Sequence, residues 1–220
     1  TLKASLTKPE NHLVLPLDLA EIAHADALVE QIIHRYGRID ILINNGGVSQ
    51  RASANDTSME VNRQLMEVNF FGNIALAKAV LPIFRAQKSG QYLVISSIAG
   101  KFGFHLRSIY SASKAALVGY YESLSMEEAA HGICVTIAFP GKINTPISTS
   151  ALTASGEAHG VMDHNQATGM SVEKCVAQML DALAHQKKEV LIGGKELLAV
   201  YMKRFLPRLF WKIIPKQSAT

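Results

Sequence analysis

Short apolar runs alternate along this chain with longer segments in which apolar residues recur at helical spacing. Ile22, Ile32 and Ile33 follow a helical period that stops at Gly37, and a short apolar run follows at residues 39–43. A short run bounded by polar residues is typical of a buried strand, whereas a longer periodic segment is typical of an amphipathic helix. The repeated alternation predicts an α/β protein with a parallel sheet.

The predicted elements follow one another in a regular order. Strands are predicted at residues 13–17, 39–43, 91–96, 133–139 and 189–192. Helices are predicted at residues 20–36, 57–85, 108–131 and 171–186, the second of them with a break near Gly72. Thr57 and Glu60 have the spacing of a capping box at the start of that second helix, with Thr57 as the N-cap, and Ser171 is the expected N-cap of the last helix.

Two segments depart from this alternation. Residues 147–169 are rich in Ser, Thr, Ala, Gly and His and show little periodicity. They predict a mobile lid or binding loop, because structured sequence resumes after them. Residues 195–220 form a hydrophobic and basic tail. We therefore divide the chain into one domain at residues 1–194 and a tail at residues 195–220.

Composition limits the classes of function. The 220 residues suffice for one domain, nearly half of them are apolar, and the net charge of +4 is too small and scattered to indicate nucleic-acid binding. Cys134 and Cys175 have no CxxC partner, which favours a reducing compartment and small core residues over a disulfide or a nucleophile. His159 and His164 share a loop without other ligands, so no metal site is predicted.

Tyr110 and Lys114 introduce the first candidate chemistry. They stand at positions i and i+4 of a predicted helix and therefore lie on one face. A phenol with a pKa of about 10 is a poor acid–base group at neutral pH, but a neighbouring cation favours the phenolate. Such a pair can protonate a carbonyl or deprotonate an alcohol. Taken alone, this spacing is common and equally fits an ordinary pair on a surface helix.

Small or polar residues follow several of the predicted strands. Ser97 comes after the strand at 91–96, Asn45 and Gly46 after the strand at 39–43, and Asp18 ends the run at 13–17. The segment 140–145 follows a further strand. Ligands of open parallel sheets bind at the carboxyl ends of the strands. These residues therefore predict one common rim that borders a ligand.

With these motifs in order, residues 13–192 resemble the short-chain dehydrogenase/reductases. The resemblance rests on an NNAG-type motif with Gly46 in place of alanine, the asparagine Asn69 within EVNFFG, Ser97, the YxxxK pair, and a PG…T motif that ends at Thr145. It implies a Rossmann-type doubly wound parallel sheet. More narrowly, the chain is similar to the hydroxysteroid-dehydrogenase-like and dehydrogenase/reductase-member-seven-like branch, which usually handles hydrophobic carbonyls or alcohols with NADP(H).

The resemblance also implies roles for individual residues. Tyr110 is the expected general acid–base, Lys114 binds the nicotinamide ribose and lowers the pKa of Tyr110, and Ser97 hydrogen-bonds the substrate oxygen. Asn69 holds a water that relays protons to Lys114, or is a helix-break residue, or both. Ser96 turns to the other face of its strand. The expected cofactor contacts besides Tyr110 and Lys114 are Asp18, Leu19, Asn45, Gly46, Pro140, Gly141, Ile143 and Thr145.

The sequence also departs from the family. It lacks the TGxxxGxG turn that binds the cofactor phosphates and the residue that selects NAD or NADP. Family alignment places residues 13–19 at the third strand, so we expect a sheet without the first two strands and an unpaired edge at residues 39–43. Two interpretations stay open: an N-terminally incomplete oxidoreductase that uses NADP, with NAD as the alternative, or a truncated, non-catalytic binding protein.

Two kinds of partner are predicted besides the substrate. Related enzymes pair two helices across a two-fold axis, and Leu76, Val80, Leu117 and Tyr121 are apolar on those helices, so we expect a homodimer unless these residues serve only the core. The tail either roofs the substrate pocket or contacts a membrane surface, as interfacial segments do. The chain has no run of about 18 apolar residues, so no membrane-spanning helix is predicted. The expected location is the cytoplasm, with membrane association through the tail left open.

Overall fold

A four-stranded parallel sheet organises the computed structural model, which describes residues 6–216. Its strands are β1 (Ile41–Asn44), β2 (Gly90–Ile95), β3 (Ile133–Pro140) and β4 (Glu189–Ile192), in sequence order across the sheet. Ile41 pairs with Gln91, and Gly90 pairs with Ile133. Parallel neighbours require crossover connections, which carry helices to the faces of the sheet. The predicted α/β class is confirmed.

Helices fill those crossovers, and further helices precede β1 and follow β4. They are α1 (Ala25–Tyr36), α2 (Met59–Met66), α3 (Gly72–Gln87), α4 (Ser108–Glu127), α5 (His164–Ala167), α6 (Val172–Ala184), α7 (Leu198–Phe205) and α8 (Pro207–Ile213). A π-helical segment, Glu67–Phe71, joins α2 to α3. The break predicted near Gly72 is therefore a local widening within one continuous helix.

The main core lies on one face of the sheet. Alternate strand residues such as Tyr92 and Val94 pack against Phe84 of α3 and against Leu117 and Tyr121 of α4. All five side chains are nearly inaccessible to solvent. The tyrosine hydroxyls are satisfied internally, since Tyr92 donates to the Ala77 carbonyl at 2.9 Å. This face supplies the apolar burial on which α3 and α4 depend.

Most of the residues that we expected at a dimer interface lie in this core. Val80, Leu117 and Tyr121 are at most 2% exposed and pack within the chain, while Leu76 is half-buried. Helical periodicity marks an apolar face but not which body covers it. Three of the four residues are therefore unavailable to a second subunit, and the homodimer stays a prediction.

The other face of the sheet packs against α6. Leu93 of β2 meets Cys175, Met179 and Leu183 of that helix in a smaller cluster. This cluster does not reach β1, whose Ile41 and Ile43 are 44% and 50% exposed. In the described residues, β1 pairs only with β2. The unpaired apolar edge predicted at residues 39–43 is confirmed.

The strand predicted at residues 13–17 is not formed. Leu13, Val14 and Leu17 are each more than 40% exposed, and the backbone there joins no sheet. A strand needs a neighbour to receive its N–H and C=O groups. In the family's strand order this segment pairs with the second strand, and within residues 6–216 no strand lies beside it. Its apolar pattern alone does not order it.

The start of the helix predicted at residue 57 was placed one residue early. Ser58 is the N-cap, since its Oγ accepts from the Val61 amide at 3.3 Å. The Thr57 hydroxyl has other partners: it accepts from Gln50 Nε2 at 2.7 Å and donates to the Ser53 carbonyl at 2.6 Å. The first predicted helix is also shorter, because its α-helical part begins at Ala25.

The predicted lid and tail have definite contacts. The segment 147–169 is irregular apart from α5, and the Leu152 carbonyl accepts from the Arg51 amide at 2.8 Å. Asp163 pairs with Arg51 and with Arg107, the latter at 3.0 Å. The tail forms α7 and α8. Residues 1–5 and 217–220, at the ends of the predicted domain and tail, lie outside the described residues.

Within residues 6–216, one helix is long and apolar enough to cross a membrane on length and composition alone. It is the continuous helix Met59–Gln87. It packs against α1, α4 and β2, and it buries the amides of Asn69 and Asn73 in hydrogen bonds to the rest of the fold. A core helix meets the same criteria, and these contacts favour that explanation.

The exposed edge leads to a solubility prediction. Ile41→Lys should reduce self-association and leave the fold intact, because a charge on an edge strand opposes pairing with another edge. Leu42→Lys is the matched control: Leu42 packs against the main core, so this change should lower the free energy of unfolding by about 3 kcal/mol or more. Light scattering over a concentration series and urea denaturation would measure both effects. Unchanged association of Ile41→Lys would contradict the role given to this edge.

Candidate active site

A cavity of about 450 Å³ opens at the carboxyl ends of the strands. Asn45 and Gly47, after β1, border it together with Ser97, after β2, and Gly141 and Thr145, after β3. Parallel strands bring their carboxyl ends to one edge of a sheet, and ligands bind there. The common rim predicted from the ends of these three strands is present.

Tyr110 and Lys114 lie on α4 and face this cavity. They are 9% and 4% exposed. Lys114 Nζ lies 5.9 Å from the centre of the Tyr110 ring and donates a hydrogen bond to the Ile95 carbonyl at 2.8 Å. Burial disfavours the ammonium form and lowers the pKa of Lys114 to about 8. This amine is therefore able to exchange a proton close to neutral pH.

The surroundings of Tyr110 differ from the expected ones. Burial raises the pKa of its phenol, while a hydrogen bond with Ser97 and the charge of Arg107 act in the opposite direction. The expectation that Lys114 lowers the pKa of Tyr110 is thus not met, because Ser97 and Arg107 are the groups with that effect and the Lys114 amine donates instead to the Ile95 carbonyl. Arg107 is the cation whose charge lowers the pKa of Tyr110.

Two adjacent serines point to different partners. Ser97 Oγ accepts from the Ala99 amide at 3.1 Å and donates to the Pro140 carbonyl at 3.4 Å, which places its hydroxyl between β2 and β3. Ser96 Oγ donates to the Lys114 carbonyl at 2.9 Å and braces α4. The different partners follow from the alternation of side chains along β2. Ser97 is the one available to a ligand.

Asn69 holds the loop after β1 against α4. Its Nδ2 donates to the Val48 carbonyl at 2.9 Å and to Ser113 Oγ at 3.0 Å, and its Oδ1 accepts from the Val48 amide at 2.8 Å. It lies in the π-helical segment, which agrees with the helix-break interpretation. A Cβ on Gly47 would lie 2.9 Å from Asn69 Oδ1 and 3.6 Å from Lys114 Nζ. A proton relay through a water stays a prediction.

Leu19 reaches the same rim although no strand precedes it. A Cβ on Gly46 would lie 2.5 Å from Leu19 Cδ1, so any side chain there would require Leu19 to move. Asp18 is exposed, and its carboxylate accepts from the Ala20 amide at 2.8 Å. Pro140 and Ile143 also border the cavity. Of the predicted cofactor contacts, all border the cavity except three: Leu19 and Gly46, which pack against each other beside it, and Asp18, which faces solvent.

Sequence reasoning missed Gln50. This side chain is fully buried, and its Oε1 accepts from the amides of Ile109 and Tyr110 at 3.0 and 3.4 Å. The first N–H groups of a helix have no partner within the helix, so Gln50 satisfies two of them and holds the start of α4 where Tyr110 stands. No local pattern could have identified it, because its partners are about sixty positions away in the sequence.

Arg107 was also missed, although a local signal existed. It directly precedes α4 and stands three positions before Tyr110, which brings it near the phenol. It borders a smaller cavity of about 90 Å³ together with Ser97, Tyr110 and Phe104. In residues 6–216, no three His, Cys, Asp or Glu side chains are grouped to hold a metal ion.

These residues fit one end of a dinucleotide. Lys114 Nζ uses one of its three N–H groups on the Ile95 carbonyl, and the amide of Asn45 and the hydroxyl of Thr145 border the same space. Gly47 borders this space too, and a side chain there would crowd Asn69 Oδ1 and Lys114 Nζ. For the phosphates the sequence offers no strand–GxGxxG–helix turn. The fit is good for the nicotinamide and ribose and incomplete for the pyrophosphate.

The fold is a parallel α/β sheet with a ligand-sized cavity at the carboxyl ends of its strands, and comparisons give its family. The short chain dehydrogenase family model matches residues 1–155, so the chain belongs to the short-chain dehydrogenase/reductase family. It is 40% identical over 214 residues to dehydrogenase/reductase SDR family member 7B of Xenopus laevis, an alignment that covers 97% of this chain and 65% of that protein. The chain thus spans slightly less than two thirds of this relative's length.

Solved structures agree with this assignment. A short-chain dehydrogenase from Streptomyces avermitilis is 27% identical with a TM-score of 0.76, and the match covers 98% of this chain and 83% of that one. ElxO with NADP bound is 27% identical with a TM-score of 0.60 over 61% of this chain and 55% of its own. The Rossmann-type fold is confirmed, with fewer strands than a full family sheet.

The buried amine predicts a pH-dependent stability. The unfolded chain holds the Lys114 proton up to a pKa of 10.5, whereas the folded chain releases it at about 8. Between these values the unfolded state binds more protons, so stability should rise with pH, by at most about 1.4 kcal/mol per pH unit. Above about pH 10, ionisation of Tyr110 in the unfolded state opposes this gain, because the phenol stays protonated longer in the fold.

Urea denaturation between pH 7 and about pH 10 would measure this gain. Lys114→Met should remove it, whereas Lys78→Met, at an exposed position on α3, should retain it. An identical pH dependence in wild type and Lys114→Met would show that the amine is not desolvated as the structure indicates.

Proposed function

We propose that the protein transfers a hydride between NADP(H), with NAD(H) as the alternative, and a hydrophobic carbonyl or secondary alcohol. The observation that carries this proposal is the buried Tyr110 phenol, which hydrogen-bonds Ser97 and borders the cavity together with Lys114. A protonated phenol held beside a hydroxyl and an amine of lowered pKa suits proton transfer to a carbonyl oxygen. Membership of the short-chain dehydrogenase family supports this reaction class.

The cofactor would lie along the rim after β1, β2 and β3. Lys114 and Asn45 would bind the nicotinamide ribose, and Thr145 would lie beside the nicotinamide. The bound dinucleotide supplies or accepts the hydride, and the chain positions and polarises the substrate. ElxO, whose fold matches part of this chain, binds NADP, which favours NADP as the first cofactor to test.

In the direction of reduction, Tyr110 donates the proton. Burial raises the pKa of the phenol and keeps it protonated at neutral pH, so the proton is available when negative charge develops on the substrate oxygen. Ser97 donates a hydrogen bond to that oxygen, and the charge of Arg107 stabilises the phenolate that remains. Lys114, with a pKa of about 8, returns a proton to Tyr110. In the direction of oxidation these proton transfers run in reverse.

The lining of the cavity supports an apolar substrate. Ile147, Val172, Val176 and Leu180 border the larger cavity, and Phe104 and Ile98 border the smaller one beside Tyr110. Apolar walls with a few polar groups at the reacting end are typical of sites for small hydrophobic ligands. A hydrophobic carbonyl or secondary alcohol is therefore the substrate class that we propose.

A second candidate function is that of a non-catalytic binding protein. Such a protein would hold a ligand in the same cavity without hydride transfer, and residues 1–220 by themselves offer a pyrophosphate no GxGxxG turn at a helix N-terminus. The intact set of Tyr110, Lys114 and Ser97 favours catalysis. Cofactor affinity and turnover, measured separately, distinguish the two candidates.

Tyr110→Phe tests the proposed chemistry. It removes the proton donor and retains the aromatic ring, so turnover on a panel of apolar carbonyls should fall at least about 10²-fold with little change in NADPH affinity. Ser97→Ala should reduce turnover more than Ser96→Ala, whose hydroxyl braces the Lys114 carbonyl. Near-normal turnover of Tyr110→Phe, in a preparation whose wild type is active, would refute the assignment.

The binding of the cofactor phosphates gives a separate test. Residues 1–220 alone should bind NADPH orders of magnitude more weakly than a longer protein that includes a Gly-rich turn, because each charge-assisted hydrogen bond contributes about 1.5–3 kcal/mol. NADPH fluorescence titration of both proteins would measure the difference. Thr145→Val should weaken both by a similar factor. Affinities within a few-fold of each other would mean that other residues hold the phosphates.

A further inference from the structure

The helices α7 and α8 present an uncovered apolar surface. Seven large apolar side chains, which we call the tail surface, are 37–72% exposed: Leu198, Tyr201, Phe205, Leu206, Leu209, Trp211 and Ile213. The first three recur at steps of three and four residues along α7, and Leu209 and Ile213 do so along α8. Each helix therefore carries a continuous apolar stripe that nothing in residues 6–216 covers.

Positive charge accompanies these stripes. Residues 197–216 contain five basic side chains and no acidic one, namely Lys203, Arg204, Arg208, Lys212 and Lys216. The whole chain has 22 basic and 18 acidic residues, so the tail carries the entire positive excess. Arg208 and Lys212 stand one position before Leu209 and Ile213. The cations therefore run alongside the apolar stripe of α8.

The inner side of the tail is anchored to the domain. Phe210 is 1% exposed and packs edge-on against Phe102, with ring centres 5.2 Å apart. Lys203 Nζ donates to the Lys101 carbonyl at 3.0 Å, and Val200 packs against the main core. These contacts give the tail a fixed orientation, with the tail surface turned away from the domain.

The same anchor lies next to the candidate active site. Phe102 stacks on Phe104 at 4.7 Å, and Phe104 borders the smaller cavity with Ser97 and Tyr110. A chain of contacting rings, Phe210, Phe102 and Phe104, therefore connects the inner side of the tail to the substrate side of the site. An apolar substrate of the proposed function would enter from that side; this last point rests on the proposed function, whereas the binding of the tail does not.

We propose that the tail surface binds an anionic lipid bilayer. Bulky apolar residues beside cations are the composition of segments that lie in a membrane interface. Phosphatidylserine headgroups would complement the exposed charges of Arg204, Arg208, Lys212 and Lys216, because basic residues near an anionic membrane surface are attracted to it. A second copy of the chain, paired through the same surface, would set these four cations against the same four cations. Charge complementarity thus favours the lipid over a partner subunit.

Trp211 provides a direct readout, because it is the chain's single tryptophan and is 62% exposed. Titration of the full chain with phosphatidylcholine vesicles that contain phosphatidylserine should shift its emission to shorter wavelength, and flotation should recover the protein with the vesicles. Vesicles of phosphatidylcholine alone should produce much less of either effect. Added salt should reverse the binding, since it screens the charge attraction.

Two variants separate the apolar and charged contributions. Tyr201→Ser with Phe205→Ser removes half-exposed or exposed apolar area and should reduce flotation severalfold, while Met126→Ser, at a 74% exposed position on α4, should not. Arg208→Glu with Lys212→Glu should abolish the preference for phosphatidylserine, while Lys78→Glu on α3 should preserve it. Circular dichroism would confirm that each variant is folded.

Three outcomes would overturn the proposal. The first is an unchanged emission and no flotation with anionic vesicles. The second is equal binding to both vesicle types that the charge reversal leaves unaltered. The third is an emission shift that grows with protein concentration in the absence of lipid, which would assign the tail surface to a second copy of the chain.

Discussion

The parallel pairing of β1, β2 and β3 is the constraint on which the site depends. Parallel strands cannot be joined by tight turns, so each strand is followed by a loop and a crossover helix on a face of the sheet. All the loops after the strands therefore meet at one edge. Asn45, Ser97 and Thr145, far apart in the sequence, border one cavity for this reason. α4 crosses the same edge and adds Tyr110 and Lys114.

Buried amide side chains then fix these parts relative to one another. Asn69 ties the loop after β1 to α4, and Gln50 ties the same loop to the backbone of Tyr110. Deeper in the core, Asn44 Nδ2 donates to the Tyr121 hydroxyl at 2.6 Å, and that hydroxyl donates to Asn73 Oδ1 at 2.8 Å. A buried amide without partners would be costly, so each of these contacts favours one arrangement over its alternatives. The position of Tyr110 is a product of this network as much as of its own helix.

The uncovered surfaces of the chain differ in character. The edge at β1 is apolar and carries unpaired backbone groups, which fits the shorter span of this chain relative to its 7B relative. The tail surface is apolar and cationic, and its backbone is satisfied within helices. The first surface therefore suits another strand, whereas the second suits a lipid interface. Residues of both cavities connect to these regions: Ile43 of β1 borders the larger one, and Phe104, which stacks on Phe102, borders the smaller one.

The sequence by itself determined the element order, the α/β class and the residues of the rim. These follow from local properties: apolar periodicity, glycines after helices, and polar residues where strands end. It could not show that residues 13–17 stay unpaired, because strand formation depends on a neighbour and not on the segment's own pattern. Nor could it show that Val80, Leu117 and Tyr121 pack inside the chain, because periodicity does not say which body covers a helix face.

Tertiary structure alone also decided the electrostatics of the site. The spacing of Tyr110 and Lys114 predicted a cation that stabilises the phenolate, but burial lowers the pKa of Lys114, and Arg107 takes that role. Gln50 belongs to the site because its side chain accepts a hydrogen bond from the Tyr110 amide, sixty positions away in the sequence. Desolvation and long-range hydrogen bonds depend on how the whole chain packs. The sequence identifies the groups that can react. Their pKa values and orientations are set only in the folded chain, where burial removes water from around them.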